Sequence, residues 1–401
     1  MQARPGGIRR GDGLRPLEIY VHVPFCVSKC RYCDFLSFSD PSGIDDYFNA
    51  LLKEISCFAN QMSGRYEVTS VFFGGGTPSF VSEKWIARVM ETIFALFTVA
   101  KEAEHTIEMN PGTVNRQKLR AYLDSGINRM SFGLQSVHGR ELKALGRIHR
   151  FSEFVENYRE ARELGASNVS VDLMCGLPGQ SLASWQQTLG TVADLAPEHL
   201  SVYSLIIEEG TPFYEQYAPD EQRRARGETP RWLPTEETER EMIDWTGRFL
   251  RERGYAQYEI SNYSRPGYVC RHNEGYWLRK DYIGFGLGAS SLLSDVRMRN
   301  TVSLSQYCSR IECGESACEQ QQRLTEKEVM EEVMFLGLRR CAGVSFRQFR
   351  AQTGREMRQV YEPVLSKLSG QGLLNVTDEG VSLTARGFDL ANFCMAQFLL
   401  E

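Results

Sequence analysis

The stretch that decides the fold is "IYVHVPFCVSKCRYCDF", residues 19–35. It opens as a β-branched, apolar run of strand type and breaks at Pro24. Three cysteines follow, Cys26, Cys30 and Cys33, in the spacing C-x3-C-x2-C. At the next-but-one position, where a fourth cysteine is easy to imagine, stands Phe35. A structural zinc site closes with four ligands, commonly two C-x2-C pairs far apart, and no second pair follows here at that distance. Most iron–sulfur cubanes also take four cysteines. Three thiolates leave one iron open, and an open iron needs a small-molecule ligand.

The rest of the chain sets the context. It has 401 residues, 42% hydrophobic and 24% charged, the balance of a soluble globular protein of about two domains. A net charge of −5 argues against nucleic acid or an anionic membrane as the main partner. No segment approaches the ~18 apolar residues of a membrane span. Residues 1–16, "MQARPGGIRRGDGLRP", are basic and rich in Gly and Pro without the apolar stretch of a secretory signal, so a flexible lead-in is expected. The cytoplasm is the expected location. Thiols stay reduced there, and an odd count of eleven cysteines fits no complete disulfide framework.

From residue 17 to about 207, strand-like runs alternate with helix-length segments. The strands are expected at 18–23, 68–73, 105–109, 129–134, 168–174 and 199–206. This alternation implies βαβ units and a parallel sheet. Six strands leave a partial barrel and a doubly wound sheet both open on pattern alone. Cys26, Gly74–Thr77, Glu108, Gln135 and Asp172 all fall at or after strand ends, the edge where parallel α/β folds bind ligands. Residues 215–240, polar with Pro219, Pro230 and Pro234, read as a surface loop. The expected organisation is an α/β unit over 17–250, an aromatic and Gly-rich extension over 251–315, and a winged-helix-like α+β domain over 316–401. Residues 320–401 carry ten basic and ten acidic side chains. That balance excludes a DNA-binding footprint and points to a docking module or lid over the barrel's open face.

C-x3-C-x2-C directly after a first strand resembles the signature of the radical S-adenosylmethionine (SAM) superfamily. "FFGGGTP" (72–78), "IEMNP" (107–111), "SFGLQS" (131–136), "LGRIH" (145–149) and "VDLMCGLPGQ" (171–180) continue the likeness in order. "IYVHVPFC" resembles the opening of the coproporphyrinogen dehydrogenase-like group, and the resemblance runs over about residues 17–400. It implies a partial (β/α)6 barrel and a [4Fe–4S] cluster on Cys26, Cys30 and Cys33 with SAM on the open iron. In that family a reduced cluster cleaves SAM to a 5′-deoxyadenosyl radical. By the same resemblance Tyr20 lies beside the SAM sulfonium, Tyr32 contacts adenine, and Gly75 and Glu108 hold this SAM. Gly76, Thr77, Gln135, Arg147, Asp172 and Ile206 match a second SAM site.

Two departures separate the chain from the dehydrogenases of the group. Those enzymes usually carry C-x3-C-x2-C-x-C and a longer N-terminal arm; here Phe35 replaces the last cysteine and nineteen residues precede Tyr20. Both features resemble the HemW-type heme chaperones, as does "RHNEGYW" (271–277), which matches their HNxxYW motif. The resemblance implies heme as a further ligand. His272 offers a neutral imidazole as ligand, and Tyr276 and Trp277 offer flat surface to a porphyrin. It also implies an electron donor for the cluster and a heme-accepting protein, soluble or membrane-associated, and it leaves a homodimer open. Oxygen-independent coproporphyrinogen III dehydrogenase is the alternative activity.

Overall fold

The computed structural model describes residues 13–62 and 64–400. The lead-in expected over 1–16 lies outside the described residues as far as residue 12, and from Arg15 the chain is already in a strand. Six strands run in sequence order and pair in parallel: β1 (Arg15–Val23), β2 (Tyr66–Gly75), β3 (Thr98–Met109), β4 (Arg129–Gln135), β5 (Val169–Cys175) and β6 (His199–Ser204). Their outward faces are Val, Ile, Leu and Phe, as strands covered by helices require. The covering helices are α1 (Ile44–Met62), α2 (Glu83–Leu96), α3 (Arg116–Asp124), α4 (Gly139–Ala144), α5 (Phe151–Glu163) and α6 (Leu182–Ala193). The side chains of Ser82, Asn115 and Ser181 cap α2, α3 and α6, each accepting a backbone N–H of the first turn.

The stretch expected as a loop over 215–240 is instead helical over its first part, in α7 (Pro212–Ala225), and at its end runs into α8 (Glu236–Glu252). The Thr211 hydroxyl caps α7, and Pro212 sits in its first turn, where no N–H is needed. Phe213 and Tyr217, four residues apart, bury one face against Leu145, Met174 and Leu177. That packing carries the helix through Pro219. A loop follows, tied down where Asp220 accepts the N–H groups of Arg231, Trp232 and Leu233 at 2.9, 2.6 and 3.0 Å.

The sheet does not end at six strands. Residues from the extension flank it on both edges. β7 (Ala256–Gln257) and β8 (Asn262–Ser264) add antiparallel beside β6. Beyond the short helix α9 (Arg271–Trp277), β9 (Tyr282–Phe285) pairs in parallel with the free side of β1. β10 (Ser290–Leu293), β11 (Val296–Asn300) and, after α10 (Leu304–Glu312), β12 (Cys318–Arg323) extend that edge antiparallel. The result is one twelve-stranded sheet, open between β12 and β7.

Register shows which end of the barrel each motif occupies. Glu18, Ser70 and Glu104 lie at one level near the starts of β1, β2 and β3, while the cysteines follow the far end of β1. α9 closes the starting end. The His272 Nδ1 shares a hydrogen bond with the Ser70 hydroxyl at 2.8 Å, and the backbone N–H groups of Arg271 and His272 donate to Glu104 at 3.1 and 3.3 Å. Gly275 packs on the buried Glu18 carboxylate, which a Cβ there would displace. "HNEGYW" is the floor of the barrel.

The C-terminal unit comprises α11 (Glu326–Gly337), β13 (Val344–Ser345), α12 (Phe346–Thr353), α13 (Met357–Gly370), β14 (Leu374–Val376), β15 (Gly380–Leu383), α14 (Ala385–Asp389) and α15 (Ala391–Ala396), with strand order β13-β15-β14. It has its own core, including Val333, Phe349, Tyr361 and Leu368. It is not a lid on the open face. Its contacts are with α9 and its surroundings: Arg340 pairs with Glu274 at 2.9 Å, Glu332 with Arg279 at 2.9 Å, and Gln352 donates to the Leu278 carbonyl at 2.8 Å. Those partners all lie on the floor side, so the unit docks beneath the barrel.

Candidate functional site

The cysteine loop leaves β1 at the mouth of the barrel. It is pinned at its ends by hydrogen bonds from Cys26 N–H to the Phe38 carbonyl (2.9 Å) and from Phe38 N–H to the Pro24 carbonyl (2.7 Å). From Cys26 to Asp40 no residue is buried, and all three thiols are partly exposed. Beneath them the Gly-rich turn after β2 is stitched to the same strand, Gly76 N–H to Val23 and Thr77 N–H to Phe25. Gly75 holds φ at +105° against the His22 ring, a conformation and a space closed to other residues.

Two of the sulfurs receive hydrogen bonds. Thr77 Oγ1 donates to Cys26 Sγ at 3.3 Å and Arg147 Nη1 to Cys30 Sγ at 3.5 Å. Both donors are held by Asn110, a residue the sequence motifs do not single out. Its Nδ2 donates to Thr77 Oγ1 at 2.8 Å, and its Oδ1 accepts from Arg147 Nη2 at 2.6 Å. Since arginine only donates, the amide orientation is fixed. Among the described residues no three His, Cys, Asp or Glu side chains converge closely enough to hold a single metal ion. Three accessible thiols with a cation and a hydroxyl directed at sulfur fit a multi-iron cluster instead.

Beside the loop opens a cavity of about 490 Å³, lined among others by Tyr20, Phe35, Phe72, Gly75, Glu108 and Asp172. Phe35 is 61% exposed on its wall. Burial, then the neighbouring Asp172, pushes the Glu108 carboxyl up to about 8; burial raises Asp172 as well. His22 Nε2 lies 2.9 Å from the Leu36 carbonyl and must donate, so Nδ1 accepts the Tyr20 hydroxyl at 3.0 Å. Tyr20 is thereby locked to the cysteine loop. Thr77 and Arg147 line a separate, smaller pocket of about 20 Å³ with Cys30 and Asn110. Asp172 lines the larger cavity with Tyr20 and Glu108 and also lies within reach of the Arg147 charge. Gln135 ends β4 in the left-handed region, φ 70°, a strained position of the kind that clusters at ligand sites. Tyr32 packs on Phe213, and Ile206, 66% exposed, stands just past β6.

His272 faces the same cavity from its floor, 1% exposed. Its ring stacks on Phe72 at 5.0 Å, and both nitrogens are engaged, Nδ1 with Ser70 and Nε2 with the Tyr276 hydroxyl at 2.9 Å. Burial lowers its pKa to about 3, so the imidazole is neutral. Tyr276 lines the cavity, but Trp277 does not. One position on along α9, its ring lies under the Arg339 guanidinium, 4.4 Å away, facing the C-terminal unit.

Comparison with known proteins agrees with this arrangement. Residues 20–192 match the Radical SAM superfamily and residues 324–390 the HemN C-terminal domain. The solved structure of coproporphyrinogen III oxidase (HemN) from Escherichia coli superposes with a TM-score of 0.81, covering 96% of this chain and 90% of that one at 24% identity. Fold and site thus define a radical SAM protein, a class that implies SAM and a [4Fe–4S] cluster. The heme chaperone HemW of Bacillus subtilis is 35% identical over 385 residues, 95% of this chain and 99% of that protein. HemW of Lactococcus lactis is 31% identical, covering 96% and 98%. The mitochondrial radical S-adenosyl methionine domain-containing protein 1 of Danio rerio is 30% identical, covering 96% and 87%. The chain belongs to the HemW heme chaperone family.

Proposed function

We propose that the chain is a heme chaperone: it holds a SAM-ligated [4Fe–4S] cluster on Cys26, Cys30 and Cys33, binds heme, and passes it to an acceptor protein. The observation that carries this reading is the end-to-end match to HemW relatives, on a barrel whose aromatic-walled cavity opens beside the cysteine loop. When bound, the cluster supplies an electron to the SAM sulfonium. The chain's residues bind and orient. Tyr20, Tyr32, Gly75 and Glu108 hold the first SAM. Gly76, Thr77, Gln135, Arg147, Asp172 and Ile206 face a second, and Thr77 and Arg147 also reach sulfur. Tyr276 offers its ring to heme. The neutral His272 has the ligand form, but ligation at Nε2 requires the Tyr276 hydroxyl to let go. Trp277 couples the floor to the C-terminal unit rather than to porphyrin. An electron donor and the heme acceptor are the partners, met in the cytoplasm where the thiols stay reduced.

The test is anaerobic. Cluster-reconstituted protein titrated with heme is expected to bind it and release it to an apo-acceptor. Given dithionite, SAM and coproporphyrinogen III, it is expected to form no protoporphyrinogen. Turnover in that second assay would replace the chaperone reading with the dehydrogenase. A heme spectrum unchanged in His272→Ala would remove His272 as ligand and leave heme on the cavity wall.

A further inference from the structure

Arg129 opens β4 deep in the barrel and is 2% exposed. Among the described residues its side chain makes no hydrogen bond and no ion pair, and its Nε is without a partner. A guanidinium cannot shed its charge, and a buried charge without a counter-ion is strongly unfavourable. The carboxyls around it, Glu104 and Asp172, lie near enough to favour its charge but make their hydrogen bonds elsewhere. Glu104 already accepts the N–H groups of Arg271 and His272, with the Cys270 thiol at 3.6 Å. Asp172 takes the Ser131 hydroxyl at 3.2 Å from each oxygen. Burial raises Asp172 and Glu108 toward their neutral forms, and keeps the Cys270 thiol and Tyr258 phenol protonated. Arg129 lines the same 490 Å³ cavity as Tyr20, Phe72 and Tyr276. The cavity therefore carries one deep guanidinium whose nearby carboxyls, Glu104 and Asp172, favour its charge without filling its N–H fork.

We propose that Arg129 is the receptor for a carboxylate carried by the ligand of this cavity. The assignment rests on the heme and SAM reading above. Both ligands carry the group, heme as propionates and SAM as its amino-acid carboxylate. A planar guanidinium offers a carboxylate two parallel N–H donors. A deep guanidinium with an unfilled fork fixes which edge of the ligand enters first.

The experiment compares each ligand with its masked form: heme against heme dimethyl ester, and SAM against decarboxylated SAM. Affinities are measured on reconstituted wild type, Arg129→Gln and Arg129→Lys. In the wild type, the free acid of one pair is expected to bind roughly 10- to 100-fold more tightly than its masked form. That preference is expected to vanish in Arg129→Gln and to return in part in Arg129→Lys, which keeps the charge without the fork. The pair that responds names the source of the carboxylate. Equal binding of free and masked forms by the wild type in both pairs overturns the assignment without any variant, so a misfolded Arg129→Gln leaves it falsifiable. A preference that survives unchanged in Arg129→Gln overturns it too. Wild type that binds no heme, yet loses its SAM preference in Arg129→Gln, sinks the heme reading and leaves Arg129 assigned to SAM.

Discussion

At the mouth of the barrel no residue from Cys26 to Asp40 is buried, and two of the three thiols receive one side-chain hydrogen bond each. At the floor, α9 has the opposite character. Cys270, His272 and Gly275 are buried, and both His272 nitrogens are partnered. Each stretch is an eight- or seven-residue motif rich in metal-ligand side chains, and from sequence they look alike. Their surroundings assign different tasks. Groups left reachable at the mouth are free to take a ligand. Groups satisfied by each other at the floor first hold the fold, and any ligand there must compete with existing bonds. In parallel α/β barrels chemistry concentrates at the strand ends and stability at the opposite face.

Substitutions should divide along this line. Cys30→Ala is expected to abolish cluster assembly, read as iron and sulfide content. The stability of the unloaded protein should shift by no more than ~0.5 kcal/mol, since the side chain packs into no core. Gly275→Ala should do the reverse. Its Cβ would overlap the buried Glu18 carboxylate, costing about 3 kcal/mol in urea unfolding, while the cysteines still load iron. His272→Ala removes two hydrogen bonds and a ring stack, and about 2–3 kcal/mol is expected. A neutral His272→Ala would break the comparison, because the floor would then not depend on that ring.

Much of this was legible beforehand. The parallel strands, the cysteine triplet and the turn at Gly74–Thr77 announce themselves by local pattern. What escaped was set by distant partners. α7 looked like a loop because Pro219 and its charges hide the Phe213–Tyr217 face, which only acquires meaning against Leu145 and Met174. Trp277 reads like Tyr276, yet one step along a helix turns it toward Arg339. Asn110 and Arg129 belong to no spacing pattern. Asn110 matters because it joins three loops, and Arg129 because it lacks a partner, and neither property is local in sequence.

pH sharpens the comparison further. Burial pushes Glu18 at the floor up to about 8, against an ordinary carboxyl near 4.5, with Lys280 at 3.5 Å lowering it only in part. A carboxyl whose folded pKa is raised stabilises the fold fully below the unfolded value. That contribution is lost as pH climbs from about 4.5 through 8. Glu18→Gln should flatten stability over this window by up to about 5 kcal/mol. Glu108, also raised to about 8 but lining the open cavity, should show its substitution chiefly in the pH dependence of SAM affinity. Glu108→Gln that altered only unfolding would place it with the floor.

The smallest expected effect lies within the mouth itself. Asn110 directs the Thr77 hydroxyl toward Cys26 and the Arg147 guanidinium toward Cys30. Hydrogen bonds and positive charge at sulfur favour the more negative, reduced cluster and raise its potential. Asn110→Ala keeps every thiol but frees Thr77 and leaves Arg147 held by the Gly133 carbonyl alone, so the potential should fall. Losing about 1 kcal/mol of such support is roughly 40 mV for a one-electron couple. Thr77→Val, which deletes one donor and leaves Asn110 bound to Arg147, should give about half that shift. Redox titration followed by the EPR signal of the reduced cluster reads both. Iron content should stay at the wild-type level, which separates tuning from loss of the site. An unchanged potential in Asn110→Ala would mean that the sulfur contacts do not survive loading, and that the mouth is organised by its ligands rather than by Asn110.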